Sequence, residues 1–391
     1  MTPFVEIGFH QLAKSGEHAA GDVFLSHKTA AGRVVCVLAD GLGSGIKAHV
    51  LGGLTATMAM RFVAADIDME KAAGIIMSTL PVCSERQIGY STFTIVDITP
   101  SGAVSIVEYD NPRALIIAPE GPKEPCKHEL TVQTACLGAR TLRVSRFQAS
   151  VGDRAVFFTD GVSQSGMGSD LYPLGWGENR ARKCCAAQVR NNSEISARKL
   201  ARSLVASANS IDSSRRHDDI SCAVVYIRRP RKLLVLTGPP FDSSKDSALA
   251  DILREFDGVK VICGGTTAQI MSRELRTPVT VDLSRIDPKI PPMSQMEGVD
   301  LVTEGALTLS RAAELLDRRC EPESLAPNAA MRLLEAFINS DSIHFIVGTR
   351  INEAHQDPNL PAELDIRRNL VRRIAGLLKE NYLKETRIEL I

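Results

Sequence analysis

Between positions 228 and 232 the chain reads Arg228-Arg229-Pro230-Arg231-Lys232. Proline fixes φ and removes a backbone donor there, and the basic side chains demand water, so neither helix nor sheet continues through it. The rhythm of apolar residues differs on its two sides, and this change constrains the fold more than any total. Before it, runs of strand length occur at Val34–Ala39, Thr92–Ile98, Val104–Val107, Leu115–Ala118, Ala155–Phe158 and Cys222–Ile227. Thr99-Pro100-Ser101-Gly102 between two of them is hairpin turn chemistry, which implies antiparallel pairing. Ile46, Val50, Leu54, Met58 and Phe62 recur every four residues, one face of a helix, and a second helical stretch covers Met69–Leu80, ended by Pro81.

After the break, strand and helix alternate strictly. Leu233–Leu236, Lys260–Cys263, Val279–Leu283, Asp300–Thr303 and Ile343–Val347 read as strands. Asp246–Phe256, Ala268–Leu275, Leu309–Asp317, Ala329–Asn339 and Leu364–Tyr382 read as helices. Such alternation means right-handed crossovers and a mostly parallel sheet. The 391 residues suit two domains at roughly 100–200 residues each, and we place them at 1–229 and 230–391. Hydrophobic residues make up 44% of the chain, enough for two cores. Lys plus Arg and Asp plus Glu are 46 each, so nothing global points to nucleic acid or a membrane surface as partner. The nine cysteines, an odd number set mostly in apolar runs, suggest buried thiols in a cytoplasmic protein. Cys184-Cys185 has no second pair or histidine at ligand spacing, so zinc is not indicated.

The chemistry lies in four acidic motifs: Gly21-Asp22, Asp40-Gly41-Leu42-Gly43-Ser44-Gly45, Thr159-Asp160-Gly161 and Asp218-Asp219-Ile220-Ser221. Asp40 and Asp160 directly follow buried runs, and Asp218-Asp219 precede one. Carboxylates converging at the ends of core strands are partly desolvated and repel one another unless cations neutralise them. Hard divalent ions with oxygen ligands meet that need, and glycine after aspartate lets the chain turn sharply. One Asp-Gly alone is only a turn sequence; the order and context of all four are the signal.

This arrangement resembles the metal-dependent protein phosphatases of type 2C, in particular their bacterial branch typified by SpoIIE. The resemblance runs in order through Gly21-Asp22-Val23-Phe24, Asp40 to Gly45, Tyr90-Ser91-Thr92, Asn111-Pro112, Gly152-Asp153-Arg154, Thr159-Asp160-Gly161-Val162 and Asp218-Asp219-Ile220-Ser221, over about residues 5–228. It implies an α+β fold in which a sandwich of two antiparallel sheets is flanked by helices, followed here by the second α/β domain. It also implies two Mn²⁺ or Mg²⁺ ions. Asp40 would bridge both, Asp22 and the Gly41 carbonyl would complete one site, and Asp160 with Asp218, and Asp219 beside it, would serve the other. Asp40, Asp160 and Asp218 are then the catalytic carboxylates of a phosphoserine/phosphothreonine protein phosphatase. Its phosphoprotein substrate would be of the anti-sigma-factor-antagonist type. The helix after Asp40 corresponds to a regulatory switch in relatives, and a homodimer through such helices suits that role.

Two departures from the family pattern stand out. No arginine precedes the first acidic motif in Lys14-Ser15-Gly16-Glu17-His18-Ala19-Ala20, which leaves Lys14 and His18 either as phosphate grips or as solvated loop residues. Asp219 stands where many relatives have asparagine. His217 beside it is a proton donor or a surface residue, and no general acid is assigned. Ser163–Lys183, with Trp176, Arg180, Arg182 and Lys183, reads as a flap that receives the phosphoprotein or as a solvated loop.

In the second domain glycine-rich loops follow strand ends, where parallel sheets place their binding crevice: Thr237-Gly238, Gly264-Gly265-Thr266-Thr267, Glu304-Gly305 and Gly348-Thr349-Arg350. Gly264, Gly265, Thr266 and Thr267, opening a helix, suit a small anionic ligand, with Glu304 and Arg350 on the same rim. The Arg367-Arg368 and Arg372-Arg373 doublets read as the solvated side of a helix whose apolar face is Ile366, Leu370, Ile374 and Leu377. No dinucleotide fingerprint or phosphate-loop lysine is present. Two other classes compete with a regulated phosphatase: a non-catalytic module that recognises a phosphoprotein, and a bifunctional chain whose second domain acts on a small phosphorylated metabolite.

Overall fold

The computed structural model describes residues 3–79, 91–134, 138–212, 215–282, 290–320, 322, 325–350 and 362–391. Its compact units are Met1–Arg229 and Pro230–Ile391. Pro81, Tyr90, Leu80 and Leu283, named above, lie outside the described residues. The first unit runs β1 (Phe4–Leu12), β2 (Asp22–Lys28), β3 (Val34–Gly41), α1 (Gly45–Ala64), α2 (Met69–Thr79), β4 (Ser91–Ile98), β5 (Ala103–Tyr109) and β6 (Leu115–Ala118). It continues with β7 (Gly121–Lys123), β8 (Cys126–Thr134), β9 (Gly138–Gln148), β10 (Arg154–Phe158), α3 (Asp160–Ser163), α4 (Glu178–Asn191), α5 (Ala197–Ile211) and β11 (Ile220–Arg228).

Among the described residues these strands form two antiparallel sheets, β1-β11-β10-β6-β7 and β2-β3-β4-β5-β9-β8. They stack as the expected sandwich, and the period-2 alternation of β3 explains why it reads as one unbroken apolar run. Val34, Cys36 and Leu38 enter the space between the sheets, against Val96, Ile106, Phe157, Ala223 and Val225. Val35, Val37 and Ala39 face outward under α1 and α2, with Ala56, Ala59, Val63 and Ile76. Leu200 and Leu204 of α5 cover the outer face of the other sheet, over Val156, Phe158 and Val224. Each such buried aliphatic or aromatic side chain contributes about 1.5–3 kcal/mol, so the burial of β3 on both faces is a large share of this unit's stability.

The second unit runs β12 (Lys232–Thr237), α6 (Asp246–Glu255), β13 (Val259–Cys263), α7 (Gly265–Leu275), β14 (Thr280–Val281), β15 (Ser294–Met296) and β16 (Val299–Thr303). It ends with α8 (Ala306–Asp317), α9 (Ala329–Asn339), β17 (Ser342–Val347), α10 (Ala362–Tyr382) and β18 (Glu385–Leu390). The sheet order is β14-β15-β16-β13-β12-β17-β18, parallel from β16 to β18 and antiparallel only at the β14 and β15 edge. The expected fold class is therefore what the structure has. Helices α8, α9 and α10 cover one face, and α6 and α7 the other.

Two helix faces differ from expectation. The stripe Ile46, Val50 and Leu54 of α1 is 75%, 61% and 48% exposed, and the buried side is Ala48, Gly52, Thr55, Ala56 and Ala59. Small residues win because they let the helix backbone approach β3 closely: a side chain on Gly41 would overlap the Ala48 carbonyl, and one on Gly52 would begin 2.6 Å from the Gly21 oxygen. In α10 the buried line is Val371, Ile374, Ala375 and Leu378 rather than one led by Ile366, which is exposed. Arg367, expected in solvent, instead lays its guanidinium in the space that the missing side chain of Gly238 leaves.

Gly152-Asp153-Arg154 resolves as a structural motif. Asp153 is buried and accepts from Lys123 Nζ at 2.8 Å and from the Ser150 N–H at 2.9 Å, closing the turn before β10. Arg154 is fully buried; it donates to the carbonyls of Gly152 (2.9 Å), Ser193 (2.6 Å) and Ile195 (3.1 Å) and stacks 3.6 Å over the Tyr226 ring. Replacing it leaves buried carbonyls unpaired at about 1–3 kcal/mol each. Arg154→Met should therefore lower the unfolding free energy of the chain by about 3 kcal/mol in urea titration, while Arg154→Lys recovers part of the loss.

Candidate active site

The acidic motifs meet where the two sheets share a rim. Asp22 opens β2 and Asp40 ends the apolar run of β3, and the antiparallel register sets them directly opposite each other. Residues so paired have Cβ atoms about 4.5–5.5 Å apart, so these two carboxyls are neighbours by construction. Asp160 starts α3 directly after β10, and Asp218 and Asp219 precede β11, the strand paired with β10.

Hydrogen bonds tie the groups across the sheets. Thr159 Oγ1 donates to Asp22 Oδ2 at 2.8 Å, and the N–H groups of Gly21 and Lys14 donate to Asp219 Oδ2 and Oδ1 at 2.6 Å and 2.7 Å. Asp218 Oδ1 accepts from the Asp219 N–H at 2.9 Å, and Gln164 Nε2 donates to Asp160 Oδ2 at 2.8 Å. Asp40 and Asp160 are close enough for each carboxyl to affect the other's titration. Asp160 Oδ1 is buried without a hydrogen-bond partner among the described residues.

Burial sets the electrostatics. It pushes Asp40 from its ordinary 3.8 up to about 10, with the charges of Asp22, Asp160, Asp218 and Asp219 adding to the rise. Asp22 is pushed up to about 8, again first by burial, against the hydrogen bonds of Ser221 and Thr159 that favour its charged form. Asp160 and Asp218 are raised too; burial leads in both, followed for Asp160 by the charge of Asp218, while the positive charge of Lys14 pulls Asp218 down. Such a set of mutually repelling, desolvated oxygens suits a hard divalent cation. As placed, the carboxyls turn to hydrogen-bonding neighbours instead, and no group of three or more His, Cys, Asp or Glu among the described residues sits in ligating arrangement. The donor chemistry fits Mg²⁺ or Mn²⁺: all ligand atoms are oxygens, and the orphaned Asp160 Oδ1 is a buried acceptor lacking a positive partner.

Gly41 and Gly161 allow the close packing this rim needs, since a side chain on Gly161 would overlap the Asp219 carbonyl. Behind Asp40, Ser91 Oγ donates to its carbonyl at 2.8 Å, and Thr92 Oγ1 donates to Asn111 Oδ1 at 2.6 Å. Asn111 in turn donates to Thr94 Oγ1 at 3.1 Å, so the Ser91-Thr92 and Asn111 motifs support the strand that carries Asp40. His217 and His18 are exposed. Ser44 Oγ donates to Glu17 Oε1 at 2.8 Å, tying the segment of Lys14 to the start of α1. In the flap, Trp176 is buried, Arg182 pairs with Glu124 at 2.5 Å, and Arg180 lies over Tyr172. Burial pushes the Cys185 thiol up, the opposite of what a thiol nucleophile requires.

Residues 30–228 match the family model described as Stage II sporulation protein E (SpoIIE). The chain belongs to the SpoIIE family. Solved structures similar to this SpoIIE-family chain include the PP2C phosphatase domain with a regulatory-domain fragment of the cell fate determinant SpoIIE from Bacillus subtilis (18% identity, TM-score 0.48, 58% of this chain and 62% of that chain). Others are RsbX in complex with magnesium (16%, 0.40, 57% and 95%) and the S. agalactiae serine/threonine phosphatase (14%, 0.39, 57% and 100%). The chain thus spans 62% of the length of the Bacillus subtilis structure. No curated protein matches the chain in sequence.

The residues singled out in the second unit separate into two places. Gly264, Gly265, Thr266 and Thr267 lie at the start of α7, beside Glu304 and Gly305 before α8. Arg350 is exposed after β17, which β12 separates from β13, so the sheet order sets it apart from Gly264. Two supporting residues of the acidic site, Gln11 and Gln164, went unread in the sequence. Gln164 stands four positions after Asp160, the spacing of one helical turn, and this was its available signal. Gln11 Nε2 donates to both the Asp22 carbonyl and Ser221 Oγ at 3.0 Å, a long-range link that no local pattern announces.

Because the folded state raises the pKa of Asp22 and Asp40, it holds more protons than the unfolded chain above pH 3.8. Their contribution to stability is full below that value and is lost as pH rises through about 8 and about 10. In chelator, thermal melts should show stability falling across this window, and Asp40→Asn, which removes one charge at constant shape, should flatten the fall.

Proposed function

We propose that this SpoIIE-family chain is a metal-dependent protein phosphatase acting on phosphoserine or phosphothreonine. The observation that carries the reading is the convergence of Asp22, Asp40, Asp160 and Asp218 at one rim, Asp22 buried and the other three half-buried, where their charges repel. Asp22, Asp40 and the Gly41 carbonyl would hold one Mn²⁺ or Mg²⁺ ion, and Asp40, Asp160 and Asp218 a second. When bound, the ions offset the carboxylate charge and supply Lewis acidity toward water and phosphoryl oxygen. Asp219 holds the segment of Lys14 and Gly21 through two backbone N–H groups and acts as a positioning residue. Thr159 and Gln164 orient Asp22 and Asp160. Lys14, whose charge lowers the pKa of Asp218, would meet the substrate phosphate. The hydrolysis uses water directly, without a covalent phosphoenzyme. The phosphoprotein is of the kind antagonistic to anti-sigma factors, and the second unit regulates the activity.

A regulatory input has a physical route within the first unit. Gly41 packs against the Ala48 carbonyl and Gly21 against Gly52, so a shift of α1 along β3 displaces the backbone of the first two acidic motifs.

The purified full chain should hydrolyse a phosphoserine peptide or p-nitrophenyl phosphate with Mn²⁺ and lose the activity in chelator. Asp40→Asn should lower kcat by about 10²-fold or more. An unchanged rate in that variant, or none in the wild type across divalent ions, refutes the assignment.

A further inference from the structure

Residues 13–21, between β1 and β2, run beside the acidic rim and carry Lys14. A lysine has a long flexible stem, so it holds an anion at a fixed place only if its backbone is fixed first. Here the fixing comes from the far end of the first unit. The Lys14 N–H donates to Asp219 Oδ1 at 2.7 Å. On either side of Lys14 the contact belongs to Arg216: its Nε–H donates to the Ala13 carbonyl, and its own carbonyl accepts from the Ser15 N–H at 3.2 Å. Ala13 and Arg216 lie 203 positions apart in sequence, so no local pattern announces this bracket.

Arg216 is itself held. It is half-buried, and its Nη1 donates to Asn209 Oδ1, in the last turn of α5, at 3.1 Å. With Nε on Ala13 and Nη1 on Asn209, the guanidinium is engaged with the protein and acts on a ligand only through the loop it grips. Beyond Lys14 the loop folds back: the Glu17 N–H donates to the Lys14 carbonyl at 3.1 Å across Gly16, whose φ of 91° suits glycine. The Glu17 carboxylate lies at the start of α1 instead of on Lys14, since its Oε1 accepts from Ser44 Oγ at 2.8 Å. Lys14 forms no ion pair among the described residues. The backbone that carries this ammonium is thus braced on both sides.

We propose that Arg216 is a positioning residue for the hydrolysis: by bracketing Lys14 it sets where that ammonium meets the phosphate of the phosphoprotein, a role that rests on the phosphatase reading. Without the guanidinium the Ala13 carbonyl is released and the Lys14 backbone loosens, so substrate binding weakens. The acidic rim keeps its geometry, because Asp22 faces Asp40 through the strand register, and Thr159 and Gln164 hold Asp22 and Asp160. The loss therefore falls on KM more than on kcat.

The test is steady-state hydrolysis of a phosphoserine peptide by the full chain with Mn²⁺, in wild type, Lys14→Gln, Arg216→Gln and the double variant. Each single variant should raise KM by about 10-fold, with a smaller fall in kcat. The double variant should be no worse than Lys14→Gln alone, because a residue that acts through Lys14 has nothing left to position. Arg216→Lys, which keeps the charge and loses the two-pronged grip, should recover part of the loss. Hydrogen exchange gives a second readout: the Ser15 amide should exchange faster in Arg216→Gln while the amides of β11 stay protected. Where Arg216→Gln melts below the assay temperature, Asn209→Ala, which removes only the outer support of the guanidinium, should raise KM in the same direction. An unchanged KM in Arg216→Gln or its substitute, single losses that multiply in the double variant, or a fall in kcat at constant KM overturns the proposal and leaves the phosphatase reading standing. A wild type that hydrolyses nothing refutes both together.

Discussion

Like charges forced together out of water are the constraint around which the first unit is arranged. The register of β2 on β3 leaves no freedom: once Val23 to Lys28 pairs with Val34 to Ala39, Asp22 faces Asp40. The second sheet then brings Asp160 and Asp218 to the same rim, because β10 and β11 are neighbours and both acidic motifs flank the same end of that pair. At an effective dielectric of about 20, two unit charges 4 Å apart repel by about 4 kcal/mol, comparable to a large part of a domain's net stability. The fold tolerates this by keeping protons on the carboxyls or by admitting cations, and every hydrogen bond from Thr159, Gln164, Gly21 and Lys14 fixes where the oxygens wait.

The same rim explains the character of α1. A helix that must lie against Gly41 and Gly21 cannot carry bulk on that side, so Ala48, Gly52, Ala56 and Ala59 face β3 and the larger residues turn out. The four-residue spacing of Ile46, Val50, Leu54, Met58 and Phe62 correctly marked a helix, but of that face only Met58 and Phe62 pack against the core while Ile46, Val50 and Leu54 are exposed. Periodicity reports where apolar residues repeat, and ordinarily burial follows size. Here the backbone approach outweighed it, and the tell was the accompanying line of glycine and alanine.

The sandwich was legible because β3, β10 and β11 are buried on both faces and the turn at Thr99 to Gly102 is explicit. Strands β1, β2, β8 and β9 were not read, since their exposed faces carry mixed polar residues and dilute the alternation. The four acidic motifs were legible for a chemical reason: an aspartate at the end of a buried run is costly anywhere else. Their supports were not, because Gln11 reaches Ser221 across 210 positions of sequence. In the second unit the short β14 and β15 edge runs antiparallel, where strict alternation had implied a parallel strand; two and three residues are too short to impose a period.

A further contrast concerns what glycine does after a strand. At Gly238 the missing side chain is filled by the Arg367 guanidinium, and at Gly348 the loop closes onto the Pro239 carbonyl, so these two glycines serve packing. At Gly265 nothing stands within 4 Å of where a side chain would begin. Sequence alone treats the loops after β12, β13, β16 and β17 as equivalent, four small-residue turns on one rim. The structure ranks them by whether the protein itself has used the opening. An opening that the protein has closed with its own guanidinium or carbonyl is architecture. One left open, as at Gly265, is a place where the small residue is not required by the packing around it.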